Sequence, residues 1–187
     1  MSKTSSVKTD FVLPIAVLTL ICLVCAALLG YFNSLTGPII AETVAAEEAR
    51  ARQEVLPEAD SFTELDLDLP DTYEDGTKNF VTRVYAADNG AGYVFMVTGN
   101  GYGGKGTMKL VVSLSPEGAV LKTVTQSHAE TAGMGSKTAD EPYRSQWEGV
   151  SAESIDTVDA VSGATISSTH YLNSMRSVFA AYALLNR

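Results

Sequence analysis

The residues best suited to chemistry lie near the C-terminus, in the segment Asp159-Ala-Val-Ser-Gly-Ala-Thr165. The segment ends in a hydroxyl, and a strongly helical sequence follows it directly. Thr165 is therefore predicted at or just before a helix N-terminus, where free backbone N–H groups and the helix dipole favour a phosphate. Gly163 and Ala164 add little bulk, so a large partner could approach the Thr165 hydroxyl. From the residues alone, a Ser/Gly turn that caps the last helix is the commoner explanation of such a segment.

The same segment resembles a known modification motif. Asp159, Ser162, Gly163, Ala164 and Thr165 match the flavinylation motif of the FMN-binding domain in the G subunit of the Rnf complex. The C subunit of the sodium-pumping NADH:quinone reductase shares this domain. In that family a flavin transferase links FMN to the threonine through a phosphoester bond. The resemblance implies covalent FMN on Thr165, with the three residues before it beside the cofactor and Asp159 as part of the flavinylation motif.

A second segment, residues 128–135, resembles the family loop His-x-Glu-Thr-Pro-Gly-Leu-Gly, which lies against the isoalloxazine ring. Ala132 replaces the proline, which makes the loop less rigid in the unfolded chain, and Met134 replaces the leucine with similar apolar volume. His128 is retained, but a histidine in a loop is by default a surface residue, and its role is left open. The resemblance implies that the cofactor is bound by Glu130, Thr131, Gly133, Met134 and Gly135.

A third segment, residues 99–106, is rich in glycine and lies between two predicted strands. It lacks the Gly-x-x-x-x-Gly-Lys-Ser/Thr spacing of a phosphate loop, and no helix follows it. A Gly-Tyr-Gly-Gly segment ahead of a strand recurs in the FMN domains of this family. By that resemblance, Tyr102 and its neighbours form a flexible wall beside the flavin.

The element predicted to position the domain is an apolar segment at residues 11–32, which has no charged residue and is long enough to span a bilayer. Lys3 and Lys8 precede it, and no basic residue follows until Arg50. The positive-inside rule predicts a cytoplasmic N-terminus at residues 1–10 and an extracytoplasmic C-terminal domain. Cys22 and Cys25 lie inside the span as Cys-x-x-Cys; small apolar residues are favoured over a redox or metal role.

The rest of the chain predicts an α+β fold, in which an antiparallel sheet is flanked by helices. Residues 33–78 are a predicted connector, with a helix over 39–56 that either lifts the domain from the membrane or is the first helix of the domain. An acidic loop follows, with nine acids in residues 54–75. Residues 79–187 are the predicted FMN-binding domain. Alternating apolar residues predict a strand over 108–115. Turn residues at 88–90 and 115–118 bound further predicted strands over 80–86, 93–98 and 120–127. A short helix over 140–147, a strand over 154–158 and a helix over 167–185, with an apolar stripe that packs on the sheet, complete it.

The composition excludes several functions. A net charge of −9 argues against nucleic acid as a partner. Both cysteines lie in the apolar segment, so the domain has no disulfide, thiolate nucleophile or cysteine metal site. The acidic loop lacks the spacing of an EF-hand. No catalytic residue or metal ligand is predicted.

The resemblance implies an electron-transfer subunit with covalent FMN in an Rnf-type ferredoxin:NAD+ oxidoreductase of the cell membrane, coupled to ion translocation. Its partners are the other subunits, the flavin transferase and membrane lipid. A subunit of a sodium-translocating NADH:quinone reductase and a flavin-free structural or sensory domain remain alternatives.

Overall fold

The computed structural model describes residues 4–185 of the chain, with side chains described from residue 12 onward. It divides into two compact units, Met1–Glu47 and Glu48–Arg187. The predicted orientation in the membrane rests on Lys3 and Lys8. The side chains of both lie outside the described residues, so the orientation stays a prediction.

Helix α1 spans Thr4–Val55 and includes the apolar segment. It is the one helix in the described part of the chain that is long and apolar enough to cross a membrane. The prediction of two separate helices is wrong, because α1 continues through Gly37 and Pro38. Strong helix formers follow Pro38, and the Thr36 hydroxyl donates to the Phe32 carbonyl in the preceding turn, 3.0 Å away. Cys22 and Cys25 are exposed free thiols on this helix.

The second unit contains a five-stranded sheet in which each strand pairs with the next in antiparallel orientation. The strands are β1 (Phe62–Leu65), β2 (Val81–Ala87), β3 (Tyr93–Gly101), β4 (Gly104–Leu114) and β5 (Val120–His128). The predicted α+β class is confirmed. The sequence did not predict β1, which lies inside the acidic stretch. The glycine-rich segment is mostly strand, with Tyr102-Gly103 as the tight turn between β3 and β4.

Short helical segments lead from β5 to the last helix. They are 3-10 turns at Gly135–Ala139, Ser145–Trp147 and Ile155–Thr157, and helix α2 at Glu141–Arg144. The predicted strand over residues 154–158 is wrong. The Thr157 N–H and hydroxyl both donate to the Ser154 carbonyl, at 3.0 and 2.7 Å, and this local bonding replaces strand pairing. Helix α3 then spans Thr165–Leu185.

Both faces of the sheet are buried within this unit. Helix α3 covers one face through the stripe that the sequence predicted, including Tyr171, Met175 and Val178. The other face packs against the end of α1, where Val55 and the following Leu56 are buried. Strand β4 was predicted to have one buried face, but all of its residues from Leu110 to Leu114 are buried. The sheet therefore holds α3 by long-range packing.

Candidate functional site

The segment before α3 is a tight turn. The Ala164 N–H donates to the Val161 carbonyl at 2.9 Å, and Gly163 has φ of +78° at the third position of the turn. A positive φ at that position is what a type II turn requires, and glycine adopts it without strain. The Val161 N–H donates to the Ser168 hydroxyl at 3.0 Å, which ties the turn to the first part of α3. The backbone conformation of the turn therefore favours glycine at position 163.

Thr165 is the first residue of α3 and is exposed. Within the described part of the chain, its hydroxyl makes no hydrogen bond. The N-terminal N–H groups of a 21-residue helix lie beside it. Deeper in the protein the same helix is held firmly, because the buried Tyr171 hydroxyl donates to Thr123 of β5 at 2.9 Å. The site thus presents an exposed hydroxyl on a fixed helix.

Loop 128–135 lies beside this helix end, and Glu130 connects it to its neighbours. The Glu130 carboxylate accepts a hydrogen bond from the Tyr102 N–H at 2.8 Å, and the Ser167 hydroxyl also donates to it. Gly133 has φ of +74°, and its N–H donates to the Ser136 hydroxyl at 2.9 Å. Three segments that are distant in sequence are therefore joined here.

These segments enclose a cavity of about 430 Å³, within the usual range of about 300–1,000 Å³ for ligand pockets. Seven of the predicted site residues line it: Tyr102, Thr131, Met134, Gly135, Gly163, Ala164 and Thr165. Four other predicted residues do not line it: Glu130, Gly133, Asp159 and Ser162.

The cavity has two further lining residues, Ile166 and Ser167, that sequence reasoning missed. Ile166 carries a usable signal, because it is apolar yet lies outside the helical stripe that packs on the sheet. Ser167 carries no such signal, since its role depends on the distant Glu130.

The rim of the cavity is unusually apolar for an exposed surface. Tyr102, Met134 and Ile166 are 63, 52 and 54% exposed. Beyond Val44, the described residues include only one other exposed large apolar side chain, Leu121. Apolar side chains gathered at a concave surface are typical of a binding site for a ligand with an apolar face. A flat aromatic ring with a phosphate tail suits both this rim and the helix end at Thr165.

Asp159 and His128 lie outside the cavity lining. The Asp159 backbone N–H donates to the Gln146 side-chain oxygen at 3.2 Å, while its carboxylate is exposed and accepts no hydrogen bond from a described residue. The exposed His128 accepts a hydrogen bond from the Glu130 N–H through Nδ1, at 3.3 Å. Among residues 4–185, no three His, Cys, Asp or Glu side chains come together as a metal site would require.

Comparison with known proteins identifies relatives. Residues 101–180 match the family described as FMN-binding domain. The chain is 26% identical to the G subunit of the proton-translocating ferredoxin:NAD(+) oxidoreductase complex of Clostridium ljungdahlii, over 81% of this chain and 80% of that protein. It is 28% identical to the G subunits of the ion-translocating oxidoreductase complexes of Shewanella piezotolerans (85% and 83% covered) and Methanosarcina acetivorans (87% and 89% covered). The chain is therefore similar to the G subunits of ion-translocating oxidoreductase complexes over most of its length, and its residues 101–180 match the FMN-binding domain.

Proposed function

We propose that this chain is an electron-transfer subunit of an Rnf-type ferredoxin:NAD+ oxidoreductase coupled to ion translocation, and that it carries FMN bound covalently to Thr165. The observation that carries the proposal is the cavity beside Thr165. A free, exposed hydroxyl at a helix N-terminus opens onto a concave surface with three exposed apolar side chains, Tyr102, Met134 and Ile166. The printed names of the relatives supply the complex and its reaction.

Each part of FMN has a suitable partner in this arrangement. The phosphate, esterified to the Thr165 hydroxyl, would be stabilised by the N-terminal N–H groups of α3 and by the helix dipole. The ring would lie against the rim, where the Tyr102 and Met134 side chains have large exposed apolar surfaces. Bound FMN supplies the redox chemistry, and the protein orients it and limits its contact with water. No side chain of the chain needs to act as an acid, base or nucleophile in the electron transfer.

The remaining parts of the proposal concern location and partners. We propose that α1 anchors the chain in the cell membrane, in contact with lipid, because this helix is apolar and long enough to cross a bilayer. The N-terminus would be cytoplasmic and the domain extracytoplasmic, as the positions of Lys3 and Lys8 predict. The partners would be other subunits of the complex and, during maturation, a flavin transferase that modifies Thr165.

Replacement of the acceptor hydroxyl tests the proposal. Thr165→Ala, expressed with the transferase, should lose covalent flavin and stay folded, because Thr165 is exposed and makes no side-chain hydrogen bond with a described residue. Thr165→Ser should retain part of the modification. Thr169→Ala is the matched control, since Thr169 is exposed on the same helix one turn later. The readouts are flavin fluorescence on a denaturing gel and the intact mass of the chain.

Two results would contradict the proposal. The first is covalent FMN on Thr165→Ala, which would assign the attachment to another residue. The second is a parent chain that carries no flavin after expression with an active transferase. Loss of flavin in both Thr165→Ala and Thr169→Ala would indicate a general defect of the helix end.

A further inference from the structure

Glu130 lies behind the wall of the cavity. Its carboxylate accepts hydrogen bonds from the Tyr102 N–H at 2.8 Å and from the Ser167 hydroxyl. Tyr102 and Ser167 line the cavity, whereas Glu130 does not. The two donors belong to the β3–β4 turn and to the first turn of α3. The carboxylate therefore links loop 128–135 to both of the other walls.

Two glycines make room for this carboxylate. A Cβ atom on Gly101 would lie 2.3 Å from Glu130 Oε1, and one on Gly135 would lie 2.4 Å from Glu130 Oε2 and 2.5 Å from the Ser167 hydroxyl oxygen. Neither glycine has the positive φ that would itself call for glycine. The two glycines therefore allow the Glu130 carboxylate to approach the backbone closely, and the carboxylate fills the space that side chains at these positions would occupy.

The hydrogen bonds around Glu130 and the neighbouring turn also distinguish the hydroxyl groups at the start of α3. The Ser167 hydroxyl donates to Glu130, and the Ser168 hydroxyl accepts the Val161 N–H. Both serines are buried, whereas Thr165 is exposed and its hydroxyl has no partner among the described residues. Thr165 is left as the free hydroxyl of the first helical turn.

We propose that Glu130 is a positioning residue that fixes the separation of the cavity walls. Because Glu130 also accepts a hydrogen bond from the Ser167 hydroxyl, Thr165 is the hydroxyl of this helix end that is exposed for modification. The inference rests on the proposed function, since its consequence is an ordered flavin. Hydrogen bonds to an ionised acceptor are stronger than those to a neutral one. Glu130→Gln removes the charge and replaces one acceptor oxygen by a donor, so that the Tyr102 N–H and the Ser167 hydroxyl can no longer each donate to an oxygen of their own.

The test uses the full-length, flavin-carrying chain in detergent and measures iodide quenching of flavin fluorescence. Glu130→Gln and Ser167→Ala should each raise the quenching constant at least twofold, because the walls separate and the ring is exposed. Glu117→Gln controls for loss of an acid, since Glu117 is exposed in the β4–β5 turn. Ser174→Ala controls for loss of a buried serine on α3, since among the described residues the Ser174 hydroxyl bonds only within its own helix, to the His170 carbonyl at 3.0 Å.

Thermal unfolding of each variant separates positioning from support of the fold. Lower stability with unchanged quenching in Glu130→Gln and Ser167→Ala would overturn the inference, and so would quenching raised equally in the controls. Folded variants that receive no flavin, beside fully loaded controls, would support it, because Thr165 is then no longer presented. If Glu130→Gln does not fold, Ser167→Ala decides, since it retains the carboxylate and the Tyr102 bond. A parent chain without flavin would instead overturn the proposed function, and this inference with it.

Discussion

Two glycines in turns, Gly163 and Gly118, allow a quantitative test of how the site is built. Both have positive φ, +78° and +85°. They differ in the space beside them, because a Cβ atom on Gly163 would meet nothing within 4 Å. A Cβ on Gly118 would lie 2.5 Å from Cε1 of Tyr182. Replacement by alanine therefore imposes backbone strain at both positions, and a steric conflict only at Gly118.

The expected cost follows from these contacts. An alanine with left-handed backbone conformation loses roughly 1–2 kcal/mol, part of which is offset because alanine is less free than glycine in the unfolded chain. We therefore expect Gly163→Ala to lower the free energy of unfolding by about 1 kcal/mol. At Gly118 the Tyr182 ring must also move. Its hydroxyl donates to the Pro116 carbonyl at 2.7 Å, and its ring packs edge-on against Tyr93 at 6.0 Å. Loss of both contacts raises the cost to about 3 kcal/mol.

The assay is urea unfolding of the full-length chain in detergent, without flavin, followed by the fluorescence of Trp147. This is the one tryptophan of the chain, and it is fully buried in the core of the domain. The difference between the two variants should be about 2 kcal/mol, with Gly163→Ala the milder. A cost of about 3 kcal/mol or more for Gly163→Ala, or equal costs for both variants, would refute this turn geometry.

Two further predictions follow from the contacts of single groups. Asp159→Ala should slow flavin incorporation by purified transferase yet leave the thermal midpoint almost unchanged, because the exposed carboxylate accepts no hydrogen bond from a described residue. Asp156→Ala is the control for this experiment. A large fall in the midpoint of Asp159→Ala at an unchanged rate of incorporation would show that Asp159 is a structural cap. Burial raises the pKa of Tyr143 to about 12, against about 10 in the unfolded chain. Between these pH values the unfolded chain loses this proton and the folded chain keeps it, so Tyr143 should by itself lower the free energy of unfolding by about 1.4 kcal/mol per pH unit. Urea unfolding from about pH 10 to 12 should show a shallower fall for Tyr143→Phe, and an identical slope would contradict the burial argument.

Local sequence patterns predicted much of the fold. Apolar alternation identified β4, since side chains on a strand point alternately to the two faces of the sheet. Turn residues between the runs identified β2, β3 and β5 to within a few residues. The i, i+4, i+7 spacing after Thr165 identified α3 and the stripe that packs on the sheet. The sequence could also predict that the motif residues from Gly163 to Thr165 lie at a helix N-terminus, because the turn and the helix are adjacent in sequence.

The features that sequence reasoning missed depend on distant contacts. Strand β1 lies among acids and forms because the edge of β2 is available to pair with it, with Phe62 opposite Ala87. The second face of β4 is buried by residues near Val55, and its Ser113 hydroxyl donates to the Val55 carbonyl at 2.6 Å. No local pattern in β4 predicts a contact with Val55, because Val55 lies 58 residues away from Ser113 in the sequence.

The proposed covalent attachment of FMN would make two demands on Thr165, and different parts of α3 meet them. Before modification the hydroxyl must be reachable by a transferase, and Thr165 is exposed beside an open turn. After modification the flavin must be held in place, which requires a helix that does not move. Tyr171 and Met175 are fully buried two and three turns further along, and Gly99 of β3 lets the Ser174 hydroxyl approach so closely that a Cβ there would lie 2.2 Å from it. Thr165 is thus accessible in the first turn, while close packing of the later turns on the sheet fixes the helix.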